Sequence, residues 1–250
     1  MARQKLGQHF LVKGAILERI AAAACPETEP LVIEIGPGRG ALTGRLLPRV
    51  GRLVAIELDP ALAEHLRVKF AGEPRLEILR RDALETDLGQ WGPAVITGNL
   101  PYYAATPLIE RVLRLRGTVR RGVFLVQKEV AQRLTAAPGS RQYGYLTVLA
   151  ALLADCRYLF EVKPSAFHPP PKVDSAVVRL EPHRRMEELA IRDLEDFLRF
   201  VSRCFRQKRK TIRNNLAEMV GREALEAWPE AGLRAEQLSL EQFAGMYRRA

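Results

Sequence analysis

Short runs of apolar residues alternate along most of the chain with segments in which apolar and polar positions mix. The runs are rich in valine, isoleucine and leucine, and the first ends at a glycine, which is typical of buried parallel strands. The predicted strands are Leu31–Ile35, Leu53–Glu57, Leu76–Leu79, Ala94–Thr97 and Val123–Gln127. Helices are predicted between them at Ala41–Leu47, from Pro60 onward and at Pro107–Leu115. This alternation predicts an α/β fold with a parallel, doubly wound sheet.

The pattern changes after a further predicted helix at Tyr145–Leu153. Two β-like runs, Cys156–Val162 and Ser175–Leu180, are separated by the proline-rich segment Lys163–Val173, which predicts an antiparallel hairpin at the sheet edge. From Met186 onward, apolar residues recur at the spacing of helices with one buried face. We place a boundary near residues 181–185, which predicts a first domain of residues 1–181 and a small helical domain of residues 182–250.

The composition is that of a globular protein: of 250 residues, 47% are hydrophobic and 27% charged, so the core is large enough to fold without disulfides or metals. The three cysteines, Cys25, Cys156 and Cys204, share no metal-ligand spacing, so we expect a reducing environment and no bound metal. No apolar run approaches the roughly 20 residues of a membrane span, and no apolar segment follows the basic start. The expected location is the cytoplasm.

The positive charges are unevenly distributed along the chain, whose formal net charge is +10. Two stretches contain Lys and Arg without any acid, which favours a polyanionic partner such as RNA. The alternative for each is an ordinary solvated helix face. The first stretch holds Arg111, Arg114, Arg116, Arg120, Arg121 and Lys128, and the second holds Arg199, Arg203, Arg206, Lys208, Arg209, Lys210 and Arg213.

The first predicted strand runs into the sequence Glu34-Ile35-Gly36-Pro37-Gly38-Arg39-Gly40. Alternate glycines let a backbone approach a ligand closely, and open α/β sheets bind ligands at the carboxyl ends of their strands. Because Gly36-x-Gly38-x-x-Ala41 also fits the dinucleotide fingerprint, the loop alone does not separate NAD from S-adenosylmethionine.

Acidic residues end the next strands. Glu57 follows the loop by about 20 residues, where a carboxylate can accept both ribose hydroxyls of either cofactor. Asp82 follows the third strand, where methyltransferases bind the adenine amine, and Glu34 before the loop is also typical of methyltransferases. The alternatives are that Asp82 caps a helix and that Glu57 pairs with a surface base.

The fourth predicted strand ends in Asn99-Leu100-Pro101-Tyr102. An exocyclic adenine amine is a poor nucleophile, because its lone pair is delocalised into the ring. The Asn99 side-chain oxygen and the carbonyl at the Leu100–Pro101 step can accept both N–H groups and aim that lone pair at a methyl donor. Tyr102 offers a face for base stacking, which contributes about 1–3 kcal/mol per base in nucleic-acid binders. The tetrapeptide could also be a plain exit from a strand.

The chain closely resembles the bacterial small-subunit (16S) ribosomal RNA adenine N6,N6-dimethyltransferases (KsgA/RsmA type) and, more distantly, the erythromycin-resistance methyltransferases. The resemblance covers nearly all of the sequence, including the glycine loop and the Asn99–Tyr103 segment. Its other motifs are Gly7–Leu11, Gln127–Val130, Phe167–Val178 and Lys210–Leu216. One departure is His9, where many relatives carry Asn.

The resemblance implies a Rossmann-like S-adenosylmethionine-dependent methyltransferase domain followed by a helical domain that binds RNA or the ribosome. It implies that the cofactor site is lined by His9, Leu11, Gly36, Glu57, Asp82 and Asn99. Asn99 and Leu100 would act on the target amine, and Tyr102 and Phe167 would sandwich the flipped adenine. His9 could instead be a lone surface residue, and Phe167 a core residue below the proline-rich loop.

The implied reaction is dimethylation of two adjacent adenines in a 3′-terminal stem-loop of 16S ribosomal RNA, coupled to biogenesis of the small subunit. The expected partner is therefore the small ribosomal subunit, and the expected state of the protein is a monomer. The alternatives are methylation of large-subunit (23S) RNA, as in macrolide resistance, and a non-catalytic assembly factor. An NAD enzyme is disfavoured, because no residue near the strand ends is suited to hydride transfer.

Overall fold

A computed structural model describes residues 9–250 of the chain. It divides into two compact units, one formed by residues up to 131 together with 156–182 and the other by 132–155 together with 183–250. The strands are β1 (Phe10–Leu11), β2 (Glu29–Ile35), β3 (Val50–Glu57), β4 (Leu76–Arg80), β5 (Ala94–Asn99), β6 (Val119–Gln127), β7 (Ala154–Val162), β8 (Phe167–His168) and β9 (Ser175–Pro182). The α-helices are α1 (Gly14–Ala24), α2 (Thr43–Leu46), α3 (Pro60–Lys69), α4 (Ala105–Arg114), α5 (Lys128–Leu134), α6 (Tyr145–Leu153), α7 (Arg185–Glu188), α8 (Leu194–Cys204), α9 (Ile212–Val220), α10 (Arg222–Glu226) and α11 (Leu240–Tyr247).

The first unit is built on a seven-stranded sheet in the order β4-β3-β2-β5-β6-β9-β7. Its first five strands in this order pair in parallel, and β9 pairs with β6 in the antiparallel direction. Each predicted parallel strand lies within an observed one, so the predicted α/β fold is confirmed. Strand β2 has β3 on one side and β5 on the other, so the chain adds strands in opposite directions from this point. A ligand crevice is expected where the strand order reverses in this way.

Buried aliphatic residues on both faces hold the central strands in place. Val32, Ile33, Val54 and Ile96 are almost fully inaccessible to solvent, as expected for parallel strands covered by helices on each face. Beside them, Gly98 in β5 passes so close to β2 that a Cβ atom there would lie 2.2 Å from the Ile35 carbonyl oxygen. The ends of these two strands are thereby brought together where the crevice opens.

A second, two-stranded sheet was not predicted. Within the proline-rich segment, β8 pairs with β1 in the antiparallel direction, with Leu11 opposite Phe167 and Phe10 opposite His168. The two runs predicted as an edge hairpin form β7 and β9, which are neighbours at the edge of the large sheet. The segment between them thus serves as more than a connection, because it supports the amino-terminal strand.

The second unit is helical and has an aromatic core. Phe197 and Phe200 of α8 pack against Tyr247, at centroid distances of 5.3 and 5.8 Å, and Phe205 stacks on Phe243 of α11 at 5.7 Å. Within residues 9–250, no helix has both the length and the apolar character to span a membrane.

The predicted division after residue 181 differs from the structure in one respect. Residues 132–155 belong to the second unit, whereas the sequence placed them in the first domain. The reason is α6, whose residues are apolar on nearly all sides and almost all buried. A helix without a polar face can join either core, so its periodicity does not indicate which one it joins.

Candidate active site

A cavity of about 400 Å³ opens at the carboxyl ends of β2, β3 and β5, in the first unit. Its walls come from the glycine loop, the ends of these strands, the Asn99–Ala104 segment and the amino-terminal strand β1. All six residues predicted for the cofactor line this one cavity: His9, Leu11, Gly36, Glu57, Asp82 and Asn99. Gly7 and Gln8 of the first motif lie outside the described residues.

The glycine loop is shaped by a hydrogen bond to the next strand. Gly38 has a φ of +57°, a conformation that costs other residues about 1–2 kcal/mol. Its N–H donates to Glu57 Oε2 at 3.0 Å. A Cβ atom at this position would lie 3.1 Å from the Phe10 ring, so glycine is required both by the backbone and by the approach of β1.

Glu57 is buried and oriented by backbone amides. One carboxylate oxygen accepts from Gly38 and the other from the Asp59 N–H, at 3.0 and 2.9 Å. Burial raises the pKa of Glu57, and these amides oppose the rise by stabilising the charged form. The carboxylate is therefore held by the fold and has lone pairs left for ribose hydroxyls, and the alternative of a surface ion pair does not apply.

Glu34 is the most deeply buried acid of the cavity wall, with 1% of its surface exposed. Burial raises its pKa to about 7, while a hydrogen bond from Thr43 opposes the rise and the charge of Glu57 adds to it. The Thr43 hydroxyl donates to Glu34 Oε2 at 2.7 Å. Since Glu34 precedes the glycine loop and Thr43 begins α2, this bond joins the two ends of the loop.

Asp82 and Tyr103 face the cavity on the side of Glu57. Asp82 Oδ1 accepts from the Leu84 N–H at 2.8 Å, as a capping residue would, yet the residue also lines the cavity. Tyr103 is 62% exposed at the mouth, and partial burial together with the charges of Asp82 and Glu57 raises its pKa. Sequence reasoning did not assign Tyr103 a role, although it directly follows Tyr102 in the same motif.

Asn99 has its amide group oriented by the residue that precedes the amino-terminal strand. Its Nδ2 donates to the main-chain carbonyl of His9 at 2.9 Å. This bond identifies the nitrogen end of the amide and leaves Oδ1 available as an acceptor in the cavity. Leu100 follows in the cavity wall, with its N–H bonded to the Leu125 carbonyl of β6. The last residue of β5 thus presents an acceptor where the strand ends.

Tyr102 also lines the cavity, and neighbouring side chains hold it in place. Its hydroxyl lies 2.7 Å from Ser175 Oγ of β9, and its ring centroid lies 5.7 Å from that of His9, at an interplanar angle of 33°. The His9 Nδ1 is in turn 2.8 Å from the Pro169 carbonyl oxygen. His9 is therefore part of the cavity wall, so the alternative of a lone surface residue does not apply.

The structure does not bring Phe167 into the cavity. Phe167 is 4% exposed and packs in the buried cluster with Leu11 and Leu17. The reason is the alternation of side chains along a strand, since Phe167 points into the buried cluster while the next residue, His168, lines the cavity. The aromatic neighbour of Tyr102 in this conformation is His9. In this structure Phe167 is a core residue, which was the alternative considered for it.

The fold and this cavity together define a class of protein: a Rossmann-like methyltransferase with a nucleoside cofactor at the reversal point of its sheet. The chain belongs to the ribosomal RNA adenine dimethylase family, whose sequence model matches residues 1–250. The predicted family is therefore confirmed. The methyl donor is S-adenosylmethionine, which suits the carboxylates of Glu57 and Asp82 and the closely approachable backbone at Gly38.

Curated relatives match nearly the whole chain. A ribosomal RNA small subunit methyltransferase A from Marinobacter nauticus is 44% identical, covering 97% of this chain and 89% of the relative. The protein of the same name from Acidobacterium capsulatum is 42% identical, covering 98% and 90%.

Two solved structures also resemble the chain over nearly its full length. A dimethyladenosine transferase from Plasmodium falciparum has a TM-score of 0.83 and 28% identity, covering 94% of each chain. The 23S rRNA methyltransferase ErmE has a TM-score of 0.77 and 29% identity, covering 96% of this chain and 98% of its own.

Proposed function

We propose that this protein transfers methyl groups from S-adenosylmethionine to the N6 amines of two adjacent adenines in a 3′-terminal stem-loop of 16S ribosomal RNA. The reaction is coupled to biogenesis of the small subunit. The observation that carries the proposal is the orientation of Asn99, whose Nδ2 is used by the His9 carbonyl and whose Oδ1 is left as an acceptor. The names of the relatives, small subunit methyltransferases, support the choice of substrate.

The target amine needs positioning more than it needs acid–base assistance. The positively charged sulfur of the cofactor already makes its methyl group a good electrophile, so alignment is the main work left to the protein. Asn99 Oδ1 and the Leu100 carbonyl accept the two amine N–H groups, which draws the nitrogen toward a tetrahedral arrangement. Each transfer releases one amine proton to solvent, so one N–H remains after the first transfer, and the same acceptors can hold it for the second.

Tyr102 provides the stacking face for the adenine after it is flipped out of the RNA. The hydrogen bond to Ser175 holds the ring in one orientation, and stacking offsets part of the cost of extruding the base. The role predicted for Phe167 requires the strand pair β1 and β8 to rearrange, since its ring is buried. His9 lies beside Tyr102 and is the side chain available to contact the adenine as a second ring.

The second basic run contacts the RNA. Its seven cations are all exposed, and two of them form ion pairs, Arg199 with Asp196 and Arg206 with Glu218. In the first run, by contrast, several cations hold the fold together: Arg111 bonds the Thr86 carbonyl, and Arg121 bonds buried Glu29. Exposed cations without internal partners are the ones that can replace counterions on phosphates.

Methylation of large-subunit RNA is the second candidate, because the chain has the fold of ErmE at nearly full length. The test is methyl transfer from labelled S-adenosylmethionine to small subunits from cells that lack the dimethylation, with large subunits in parallel. We expect two methyl groups on each of two adenines in the small subunit, recovered as dimethyladenosine. Labelling of large-subunit RNA alone would overturn the proposal in favour of the second candidate. Tight binding without labelling would indicate an assembly factor without catalysis.

A further inference from the structure

A tight turn at residues 207–210 joins α8 to α9 in the second unit, and we call it the basic turn. The Lys210 N–H donates to the Gln207 carbonyl at 2.9 Å, which closes four residues and places Lys208 and Arg209 at the tip. All four residues are exposed. Three consecutive cations at one turn repel each other, so something must stabilise this conformation.

A single buried side chain fills the inside of the basic turn. Asn215, in the first turn of α9, is 8% exposed. Its Oδ1 accepts from the Gln207 N–H at 3.0 Å. Its Nδ2 donates to the Cys204 carbonyl at 2.8 Å, and the Gln207 and Lys210 carbonyls lie at 3.2 and 3.4 Å. The side chain therefore connects the end of α8 with both ends of the turn.

The cations of the turn differ in what they contact. Lys208 Nζ donates to the Arg141 carbonyl at 2.8 Å, so this amine anchors the turn to a neighbouring loop of the same unit. Within residues 9–250, no acidic side chain pairs with Arg209 or Lys210. These two side chains are the ones that the turn leaves available for an anion.

We infer that Asn215 is a positioning residue, which holds the basic turn so that Arg209 and Lys210 meet phosphates of the bound RNA together. The inference rests on the proposed function, because it assumes that RNA is the partner of this surface. Asn215 carries no charge and is itself too buried to reach the RNA. A substitution of Asn215 would therefore change binding only through the positions of Arg209 and Lys210. It would leave the total charge of the run unchanged, so the two effects can be measured separately.

The experiment measures the affinity of the full-length protein for small ribosomal subunits that lack the dimethylation, between about 50 and 200 mM salt. The variants are Asn215→Ala, the matched control Asn214→Ala at the exposed neighbouring position, and the double variant Arg209→Ala with Lys210→Ala. We expect Asn215→Ala to weaken binding about tenfold and to lower the slope of log K against log salt by about 1–2, as in the double variant. The control should stay within about twofold of the original protein.

The outcomes separate the inference from the function on which it rests. If the double variant weakens binding while a folded Asn215→Ala protein keeps the original affinity and salt slope, Asn215 does not position the turn. If the double variant itself binds normally, the RNA-binding role of the basic run is wrong. Binding of S-adenosylmethionine, measured on the same samples, should be unchanged in every variant, since the cofactor residues belong to the first unit.

Hydrogen exchange on the unmodified protein gives an independent check if Asn215→Ala does not fold. We expect the Gln207 amide to be protected, although it lies in an exposed turn, because Asn215 Oδ1 accepts its hydrogen bond. The Lys208 and Arg209 amides of the same turn are the internal reference. Equal, fast exchange at all three amides would overturn the inference.

Discussion

The side-chain nitrogen of Asn99 donates a hydrogen bond to the main-chain carbonyl of His9, 2.9 Å away. This contact ties the end of the fifth strand of the fold to the amino-terminal segment. It also determines which end of the Asn99 amide faces the cavity, because an amide that uses its nitrogen on a carbonyl must present its oxygen elsewhere. In the proposed mechanism, the amino-terminal segment therefore contributes to the geometry of the reaction, and its attachment through β8 bears on activity.

Replacing Asn99 should strongly lower the rate of methyl transfer and spare RNA binding. Asn99→Ala removes the acceptor that aims the amine, and loss of one such oriented group typically lowers kcat about 100- to 1,000-fold. Affinity for the small subunit should stay within a few-fold, since the exposed basic run is untouched. Single-turnover rates and equilibrium binding on the same preparation test both statements. Normal dimethylation by the Ala variant would remove Asn99 from the mechanism.

Two substitutions at Tyr102 should separate the stacking face from its support. Tyr102→Ala loses the ring, and stacking is worth about 1–3 kcal/mol per base, so kcat/KM for the RNA should fall by about 5- to 150-fold. Tyr102→Phe keeps the ring and loses only the hydrogen bond to Ser175 Oγ, so its loss should be smaller and should match that of Ser175→Ala. If Tyr102→Phe were as impaired as Tyr102→Ala, the contribution of Tyr102 to catalysis would come from its hydroxyl and not from the stacking face of its ring.

Charge reversal in the second basic run should weaken binding in a salt-dependent way. Arg206→Glu, Lys208→Glu and Arg209→Glu together reverse the charge of three exposed side chains at one end of the run, so attraction to phosphates should weaken, affinity should fall and its salt dependence should flatten. The matched control reverses Arg184, Arg192 and Arg222, exposed cations outside the run. Both proteins have the same net charge, so an equal loss of affinity in the two would attribute binding to overall charge alone.

Glu34 should make stability depend on pH in the opposite direction from an ordinary paired carboxylate. Its pKa is about 7 in the folded protein and 4.5 for an unperturbed side chain, so the folded state binds the proton more tightly than the unfolded state. Its stabilising contribution is complete below about pH 4.5 and declines until about pH 7. The decline amounts to about 3 kcal/mol or less.

The test compares the unfolding free energies of the original protein and Glu34→Gln by denaturant titration across this pH range. The Gln side chain cannot titrate and can still accept from Thr43. We expect Glu34→Gln to gain stability relative to the original protein as the pH rises from 4.5 to 7. A constant difference between the two proteins over that interval would contradict the raised pKa.

Gly38→Ala should weaken binding of S-adenosylmethionine as well as stability. Ala at a φ of +57° costs about 1–2 kcal/mol, and its methyl group would press against the Phe10 ring at 3.1 Å. The control is Gly72→Ala, which has a φ of +85° and no atom within 4 Å of the added Cβ. Both variants should lose stability in thermal unfolding, and only Gly38→Ala should raise the dissociation constant of the cofactor. Equal cofactor affinity in the two variants would contradict a close approach of the cofactor to Gly38.

Much of the lining of the candidate cofactor site could be predicted from local sequence alone. A nucleoside cofactor at the end of a parallel sheet needs two things: a backbone that it can approach closely and carboxylates for its hydroxyl and amine groups. Alternate glycines supply the first, and acids at the ends of successive strands supply the second. Strand periodicity placed Gly36, Glu57, Asp82 and Asn99 at strand ends, and the ends of parallel strands necessarily meet at one edge. These features depend on neighbours in the chain, which is why pattern reasoning reaches them.

Only the tertiary structure decided the features that depend on distant partners. The β1–β8 pairing buries Phe167 and exposes His168, because a strand's register determines which side chains face inward. The apolar helix α6 joins the second unit, although its sequence suits either core. Asn215 belongs to the Lys210–Leu216 motif, but the sequence did not indicate its contacts with the basic turn, which follow from how α8 and α9 pack. Sequence thus determined the chemistry of the cavity, and long-range packing determined which side chains reach it.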